Sequence, residues 1–405
     1  MYNYMKIASC GFIKNKNLIT KERVIDILLN DKKWQEIIDT INNQESLNLV
    51  TKAANNILTS GAQNIVIVGI GGSILAARAI YEYAKYELKL DRSIHFLDNL
   101  TSNFDTNSLP KDAFFIFISK SGKTIETLTQ MCYIINHLSK SSVNISKHCL
   151  LITQNNNSEM GKIAHKNNIS ILPWSADISG RFSCFSNNSN LISILCGINI
   201  KDIFSNLTKY INTLINNEQF IDNINLSLNS VEQKCSSNIL MTYDSRLSFF
   251  IDWYIQIWSE SLGKENIGTM PSAALGPIDQ HSKLQLFLDG PKDKIFTIFA
   301  NHAKKNEVSL DWNLFDDCNI DYIKNNSIDE IIHASFYGTY QSMVMKNLPV
   351  RIVEYDPKIS FIFEIMAYSM IETIIACHFF NVNPYNQPAV EKSKEILYNE
   401  LNKKL

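Results

Sequence analysis

Two neighbouring stretches of this chain carry side chains able to move protons: Ser259-Glu260-Ser261-Leu262-Gly263-Lys264 and Asp279-Gln280-His281-Ser282. A carboxylate and an imidazole are groups that commonly serve as base and acid near neutral pH. Upstream lie two loops rich in small and hydroxyl residues, Gly69-Ile70-Gly71-Gly72-Ser73 and Ser119-Lys120-Ser121-Gly122-Lys123-Thr124. Downstream, Gln387-Pro388-Ala389-Val390-Glu391-Lys392-Ser393-Lys394 completes the set. A phosphomonoester carries roughly −1.5 to −2 charges and several acceptor oxygens, so its site needs many donors. Free N–H groups at a helix start supply donors, and glycine lets the backbone come close. The whole set reads as proton transfer on a phosphorylated molecule.

Other readings of the loops fail on single positions. A dinucleotide fingerprint needs a third glycine at position 74, where Ile74 stands. Ser121-Gly122-Lys123-Thr124 imitates the end of a nucleotide-triphosphate loop, but the earlier glycine would fall at 117 and the residue is Phe117. Either loop alone is equally an ordinary Gly/Ser turn of an α/β domain. Taken singly, Glu260 reads as a helix residue capping or pairing with Lys264, His281 as a hydrogen-bonded structural residue, Lys394 as a solvated cation, and Arg181 as a loop anchor. Only their joint presence overturns those readings.

The elements that must position these residues follow from periodicity. Ile65-Val66-Ile67-Val68 is a β-branched run ending at glycine, and residues 74–85 then show apolar positions at helical spacing. Ala113-Phe114-Phe115-Ile116-Phe117-Ile118 followed by residues 125–138 repeats that logic, and Ile94-His95-Phe96-Leu97 and Cys149-Leu150-Leu151-Ile152 read as further strands. Continuous apolar strands alternating with helices predict a mainly parallel sheet covered on both faces, with ligands beyond the carboxyl ends of the strands. Residues 187–230 read as helical, and the alternation resumes at Ile239, with strands at 294–299 and 349–354 and a helix over 328–347. The expected organisation is a helical lead-in over 1–47, a first α/β domain over 48–190, a second over 191–380, and a helical segment over 381–405. Gln256 stands one helical turn before Glu260 and so shares its face.

Composition narrows the function classes. With 38 Lys and Arg against 40 Asp and Glu, the formal charge is −2, which gives no global electrostatic case for nucleic acid or an anionic membrane. The 8 cysteines are dispersed without a Cys-x-x-Cys, so neither a zinc site nor a dithiol redox site is suggested, and reduced cytosolic thiols fit. Residues 1–19 lack a continuous apolar core of the secretory type. The most apolar stretch, 361–380, carries Glu364 and Glu372 and reads as a buried helix rather than a membrane span. A soluble cytoplasmic protein is expected.

With these runs in view, the chain from about the first loop to Lys394 resembles the glucose-6-phosphate isomerases of the compact bacterial type. The resemblance implies two sugar-isomerase (SIS-type) three-layer αβα domains and no cofactor or metal. It implies a metal-independent interconversion of glucose 6-phosphate and fructose 6-phosphate by ring opening and a cis-enediol. Ser73, Ser119, Lys120, Ser121 and Thr124, with Gly71 and Gly72, are then the phosphate grip. Glu260 becomes the C1/C2 proton shuttle, His281 and Lys394 the ring-opening pair, and Arg181 the cation for the enediol oxygen, with Gln256 and Gln387 near the sugar. It further implies a homodimer in which His281 completes the neighbouring subunit's site. Departures are few: Ser179 stands for a usual glycine before Gly180, Ala389 for another near Lys394, and Lys123 for a usual hydroxyl residue. Two rival readings accept the same loops. One is a bifunctional phosphoglucose/phosphomannose isomerase; the other is a sugar-phosphate sensor, which has no reason to keep Glu260, His281 and Lys394 together and would bring a basic DNA-binding segment that the N-terminus lacks.

Overall fold

The computed structural model describes all residues except 1–4, 89, 111, 176, 303–310, 316–317, 325 and 404–405. Among the described residues, ten strands form two five-stranded sheets. The first contains β2 (Asn64–Val68), β3 (Ser93–Leu97), β4 (Ala113–Ile118), β5 (Cys149–Thr153) and β6 (Ser170–Pro173). Its order is β3-β2-β4-β5-β6 and every pairing is parallel. All six positions of β4 are buried, so helices cover both faces of the sheet and the strand is apolar throughout instead of alternating.

The second sheet contains β1 (Met5–Ser9), β7 (Ser237–Thr242), β8 (Met270–Leu275), β9 (Lys294–Asn301) and β10 (Val350–Tyr355), in the order β1-β10-β9-β7-β8. The pairings are parallel except that of β1 with β10, which is antiparallel with Met5 opposite Val353. The expected helical lead-in over 1–47 is corrected at this point. Helices Lys21–Asn30 and Lys32–Asn42 are present, but β1 precedes them and belongs to the second sheet, while helix Gln44–Leu58 runs across the expected boundary. β1 reads Met-Lys-Ile-Ala-Ser with only Met5 buried, so it lacks the continuous apolar run that announces the inner strands; the edge of β10 selects it. The two architectures are thus α/β/α layers built on mainly parallel sheets.

In each sheet the chain leaves one strand for a neighbour on one side and then crosses to the other. In the first sheet this reversal lies between β2 and β4, and the loops after these two strands sit together at the carboxyl ends. Helix Ser248–Leu262, which follows β7, packs on helix Leu75–Ala84, which follows the first loop, and on helix Ile359–Phe379. A helix that follows β7 of the second sheet is thereby packed on the helix that follows β2 of the first. Helix Ile359–Phe379 is long and apolar enough to span a membrane, yet almost its whole length is buried in protein, including Glu364 and Glu372. Glu372 accepts from the fully buried Arg351 at 2.6 Å, which explains how a carboxylate is tolerated in the core.

Candidate active site

The first loop makes a single helical turn, Gly71–Ser73, directly after β2. Gly71 has φ +57°, the left-handed region open to glycine, and a Cβ there would lie 3.3 Å from Gln256 Nε2. Gly72 serves a different purpose. Its missing side chain lets the backbone of Gly180 and Arg181 touch it, for a Cβ would stand 2.6 Å from both Gly180 C and Arg181 N. Two turns far apart in sequence thus meet backbone to backbone.

That contact delivers Arg181 into the core, where it is 3% exposed. Its Nε donates to Ser261 Oγ at 2.9 Å, and Nη1 donates to Glu260 Oε2 at 3.1 Å and to Gln387 Oε1 at 2.8 Å. Nη2 donates to the carbonyls of Pro384 at 2.7 Å and Asn386 at 3.0 Å. All five guanidinium protons therefore have acceptors, which is what burying a permanent cation requires. Burial pulls the Arg181 pKa down from its ordinary value, with the adjacent Glu260 opposing that shift. Trp253 Nε1 donates to the Arg181 carbonyl at 3.0 Å and fixes the backbone.

Glu260 lies in the last turn of helix Ser248–Leu262, its side chain 31% exposed. Its second oxygen accepts from Gln256 Nε2 at 2.9 Å, one turn earlier on the same helix. Lys264 does not pair with this carboxylate; its Nζ donates to the carbonyls of Glu260, Ser261 and Asn383 and so closes the helix end. Burial lowers the Lys264 pKa, consistent with an ammonium held against carbonyls rather than carboxylates. The arrangement is a half-open carboxylate clamped by a cation on one oxygen and an amide on the other.

The second loop lies after β4 and before helix Ile125–Lys140. Ser119 is buried, its Oγ 3.0 Å from Thr124 Oγ1 and accepting the Gly122 N–H at 3.1 Å. Thr124 stands at the cap position of the helix without capping it, which leaves the terminal N–H groups directed at the loop. Lys120 Nζ donates to Asp177 Oδ1 at 2.8 Å, and Lys33 reaches the other oxygen at 3.3 Å. The hydrogen bond from Lys120, helped by Lys33, holds the Asp177 carboxyl down at about 2. Ser121 and Thr124 line a cavity of about 400 Å³ whose other wall is helix Pro388–Asn402, with Glu391, Lys394 and Tyr398.

The sequence-derived candidates thus fall into three places. Gly71, Gly72, Arg181, Gln256, Glu260 and Gln387 are assembled around one carboxylate; Ser73 ends the same glycine turn, where its carbonyl accepts from Asn188 Nδ2 at 2.9 Å. Ser119, Lys120, Ser121 and Thr124 form the second loop, and Lys394 faces that loop, exposed and paired with Glu391 at 2.7 Å, instead of touching Glu260. His281 stands apart on the exposed turn Ile278–His281 after β8, and no hydrogen bond or ion pair among the described residues joins it to Glu260 or either loop. Among the described residues no group of three or more His, Cys, Asp or Glu side chains could hold a metal ion. Sequence reasoning missed Ser261, the carbonyls of Pro384 and Asn386, and Asp177; backbone acceptors carry no side-chain signal, and Asp177 lies outside every motif.

A sequence model of the family described as phosphoglucose isomerase matches residues 35–281. The chain is 31% identical to a probable glucose-6-phosphate isomerase of Methanococcus maripaludis, over 83% of this chain and 78% of that one. It is 29% identical to the glucose-6-phosphate isomerase of Campylobacter jejuni, over 93% and 94% of the two chains. Among solved structures, a hypothetical protein of Thermus thermophilus superposes with a TM-score of 0.80 at 22% identity, covering 94% of this chain and 93% of that one. A glucose-6-phosphate isomerase of Chlamydia trachomatis gives 0.72 at 16% identity, covering 98% and 81%. The latter two likenesses concern the fold.

Proposed function

This chain belongs to the phosphoglucose isomerase family and is an aldose–ketose isomerase of glucose 6-phosphate and fructose 6-phosphate, and we propose that Glu260 carries the proton between C1 and C2. The observation that carries this assignment is the clamp on Glu260: Arg181 at 3.1 Å on one oxygen and Gln256 at 2.9 Å on the other, with the side chain still reachable. A base held this way cannot swing off the substrate, and general-base catalysis demands that fixed geometry. Proton abstraction leaves negative charge on the enediol oxygens. Arg181, already ordered and withdrawn from water, supplies a preorganised positive field beside that charge without reorganising during the step.

In this reading the phosphate is gripped by Ser73, Ser119, Lys120, Ser121 and Thr124 with the backbone of Gly71 and Gly72, and Gln256 and Gln387 meet the sugar hydroxyls. His281 and Lys394 open the ring. His281 lies on an exposed turn beside Ile278, which is 65% exposed, and this favours its delivery to the site of a second copy in a homodimer. The same proposal divides the chain into two SIS-type domains meeting near residue 190 and places the enzyme in the cytoplasm.

The test is conversion of fructose 6-phosphate to glucose 6-phosphate by the purified chain in excess chelator, with Glu260→Gln in parallel. The variant should lose about 10²–10⁴-fold in kcat, the usual worth of a positioned general base, while still binding the sugar phosphate. A Glu260→Gln rate within a few-fold of the parent removes Glu260 from the role.

A further inference from the structure

A buried carboxylate far from Glu260 in sequence holds the segment that supplies three of the acceptors around Arg181. Asp31, 7% exposed, stands between helices Lys21–Asn30 and Lys32–Asn42. Its Oδ1 accepts from the Trp34 N–H at 2.9 Å and from the Tyr385 hydroxyl at 2.9 Å, and its Oδ2 lies 2.7 Å from His378 Nε2. Burial alone would raise its carboxyl, but the bonds from His378, Trp34 and Tyr385 outweigh that and hold it below the usual range. Capping the second helix needs only one of these bonds. The other two reach the C-terminal part of the chain.

Tyr385 is the middle residue of a strap, 383–387, four of whose acceptors are taken by Arg181 and Lys264. Asn383 gives its carbonyl to Lys264, and Pro384, Asn386 and Gln387 give three of the five acceptors that surround Arg181. The Tyr385 ring lies 5.1 Å from the ring of Phe182, the residue next to Arg181. The strap is therefore pinned at its centre by one hydroxyl on Asp31 and one aromatic contact, and it in turn sets the plane of the guanidinium. The strap also precedes helix Pro388–Asn402, so its placement decides where that helix begins.

We infer that Asp31 is a positioning residue of the isomerase: through the Tyr385 hydroxyl it fixes the 383–387 strap, and through the strap the orientation of Arg181 beside Glu260. This rests on the role given to Arg181 above. Asp31 bonds neither Glu260 nor either loop directly, so its loss should fall more on the rate of the proton transfer than on substrate binding.

The experiment compares Tyr385→Phe, Arg181→Lys and the double variant in the fructose 6-phosphate assay, with Asp31→Asn as a second way of weakening the same link. Phenylalanine keeps the ring on Phe182 and removes only the hydroxyl, so folding, followed by thermal melting, should survive. Tyr385→Phe should lower kcat about tenfold with KM within twofold, the pattern of a misplaced catalytic group. Asp31→Asn should move kcat in the same direction. In the Arg181→Lys background the Tyr385→Phe change should cost nothing further, because the fork that the strap orients is gone. Full multiplication of the two effects, or a Tyr385→Phe enzyme at the parent rate beside an impaired Arg181→Lys, overturns this inference alone. Arg181→Lys at the parent rate overturns the role of Arg181 and this inference with it.

Discussion

Gly72→Ala is the smallest change that tests how the two turns meet. The added Cβ would fall 2.6 Å from Arg181 N and from Gly180 C, about 0.8 Å inside the 3.4 Å at which ordinary contact begins. Both atoms are backbone, so no side chain can rotate away. Gly180 cannot absorb the shift cheaply either, since its own missing Cβ lies 3.1 Å from Gly72 C. The 3-10 turn Gly180–Phe182 must move outward as a unit, carrying Arg181 with it against the Trp253 and Ser261 bonds. Overpacking of this kind costs about 1–3 kcal/mol of stability. A displacement of nearly an ångström at a catalytic cation costs up to ~10²-fold in rate. The expected result is kcat lowered about 10- to 100-fold, KM raised as well because Gly72 itself belongs to the proposed phosphate grip, and a lowered melting temperature. Gly61→Ala is the control: its φ is +82° but nothing lies within 4 Å, so it should cost stability through backbone strain and leave kcat alone. A Gly72→Ala enzyme with parental kcat and melting temperature would refute the argument that glycine is needed there for close approach.

Two further measurements probe the surroundings. Arg351→Met strands the Glu372 carboxylate, both side chains being almost wholly buried, and should destabilise the fold by about 3–5 kcal/mol in denaturant titration; an unchanged midpoint would mean that Ser227 and Tyr254 suffice for Glu372. The Asp177 carboxyl is depressed to about 2, so the contribution of its links to Lys120 and Lys33 is complete above the ordinary carboxylate pKa and disappears only as pH falls through about 2. An NMR titration of Asp177 should show that midpoint and return toward the ordinary value in Lys120→Met; a midpoint at the ordinary carboxylate value in the parent would show that the Lys120 bond does not persist in solution.

Much of the fold is legible in the sequence because parallel strands buried on both faces must be continuous apolar runs. β2, β4, β5, β9 and β10 all declare themselves this way, and helix Ile359–Phe379 does so by its length. The strands that escape notice lack that signature for a reason. β8 reads Met-Pro-Ser-Ala-Ala-Leu and lies at a sheet edge, where proline is tolerated and most of its residues are not buried. β6 is four residues long, and β1 is fixed by the edge it joins. The site divides similarly. Gln256 and Glu260, one helical turn apart, meet as their spacing predicts, whereas Gly71 and Gly72 come beside Gln256 and Arg181 only through the fold. The link from Asp31 to Tyr385 spans 354 positions and belongs to no motif, so only the folded chain brings it out.

The ligand shell of Arg181 also says when the site exists at all. Its five acceptors come from helix Ser248–Leu262 and from the strap 383–387, while the arginine itself is held by a turn resting on the loop after β2. No one of these segments can bury a guanidinium, because each alone would leave donors unpaired in a place without water, at a cost of several kcal/mol. The arginine can therefore reach its place only when both sheets are formed, packed together and closed by the C-terminal strap. Until that point it remains solvated and Glu260 lacks its fixed partner. Activity in this chain should accordingly appear as the last event of refolding, after both sheets have formed, since the groups that orient the proton carrier are the groups that complete the core. Stopped-flow refolding checks this: catalytic turnover should lag the recovery of far-ultraviolet circular dichroism, and activity that returns together with the first helical signal would refute it.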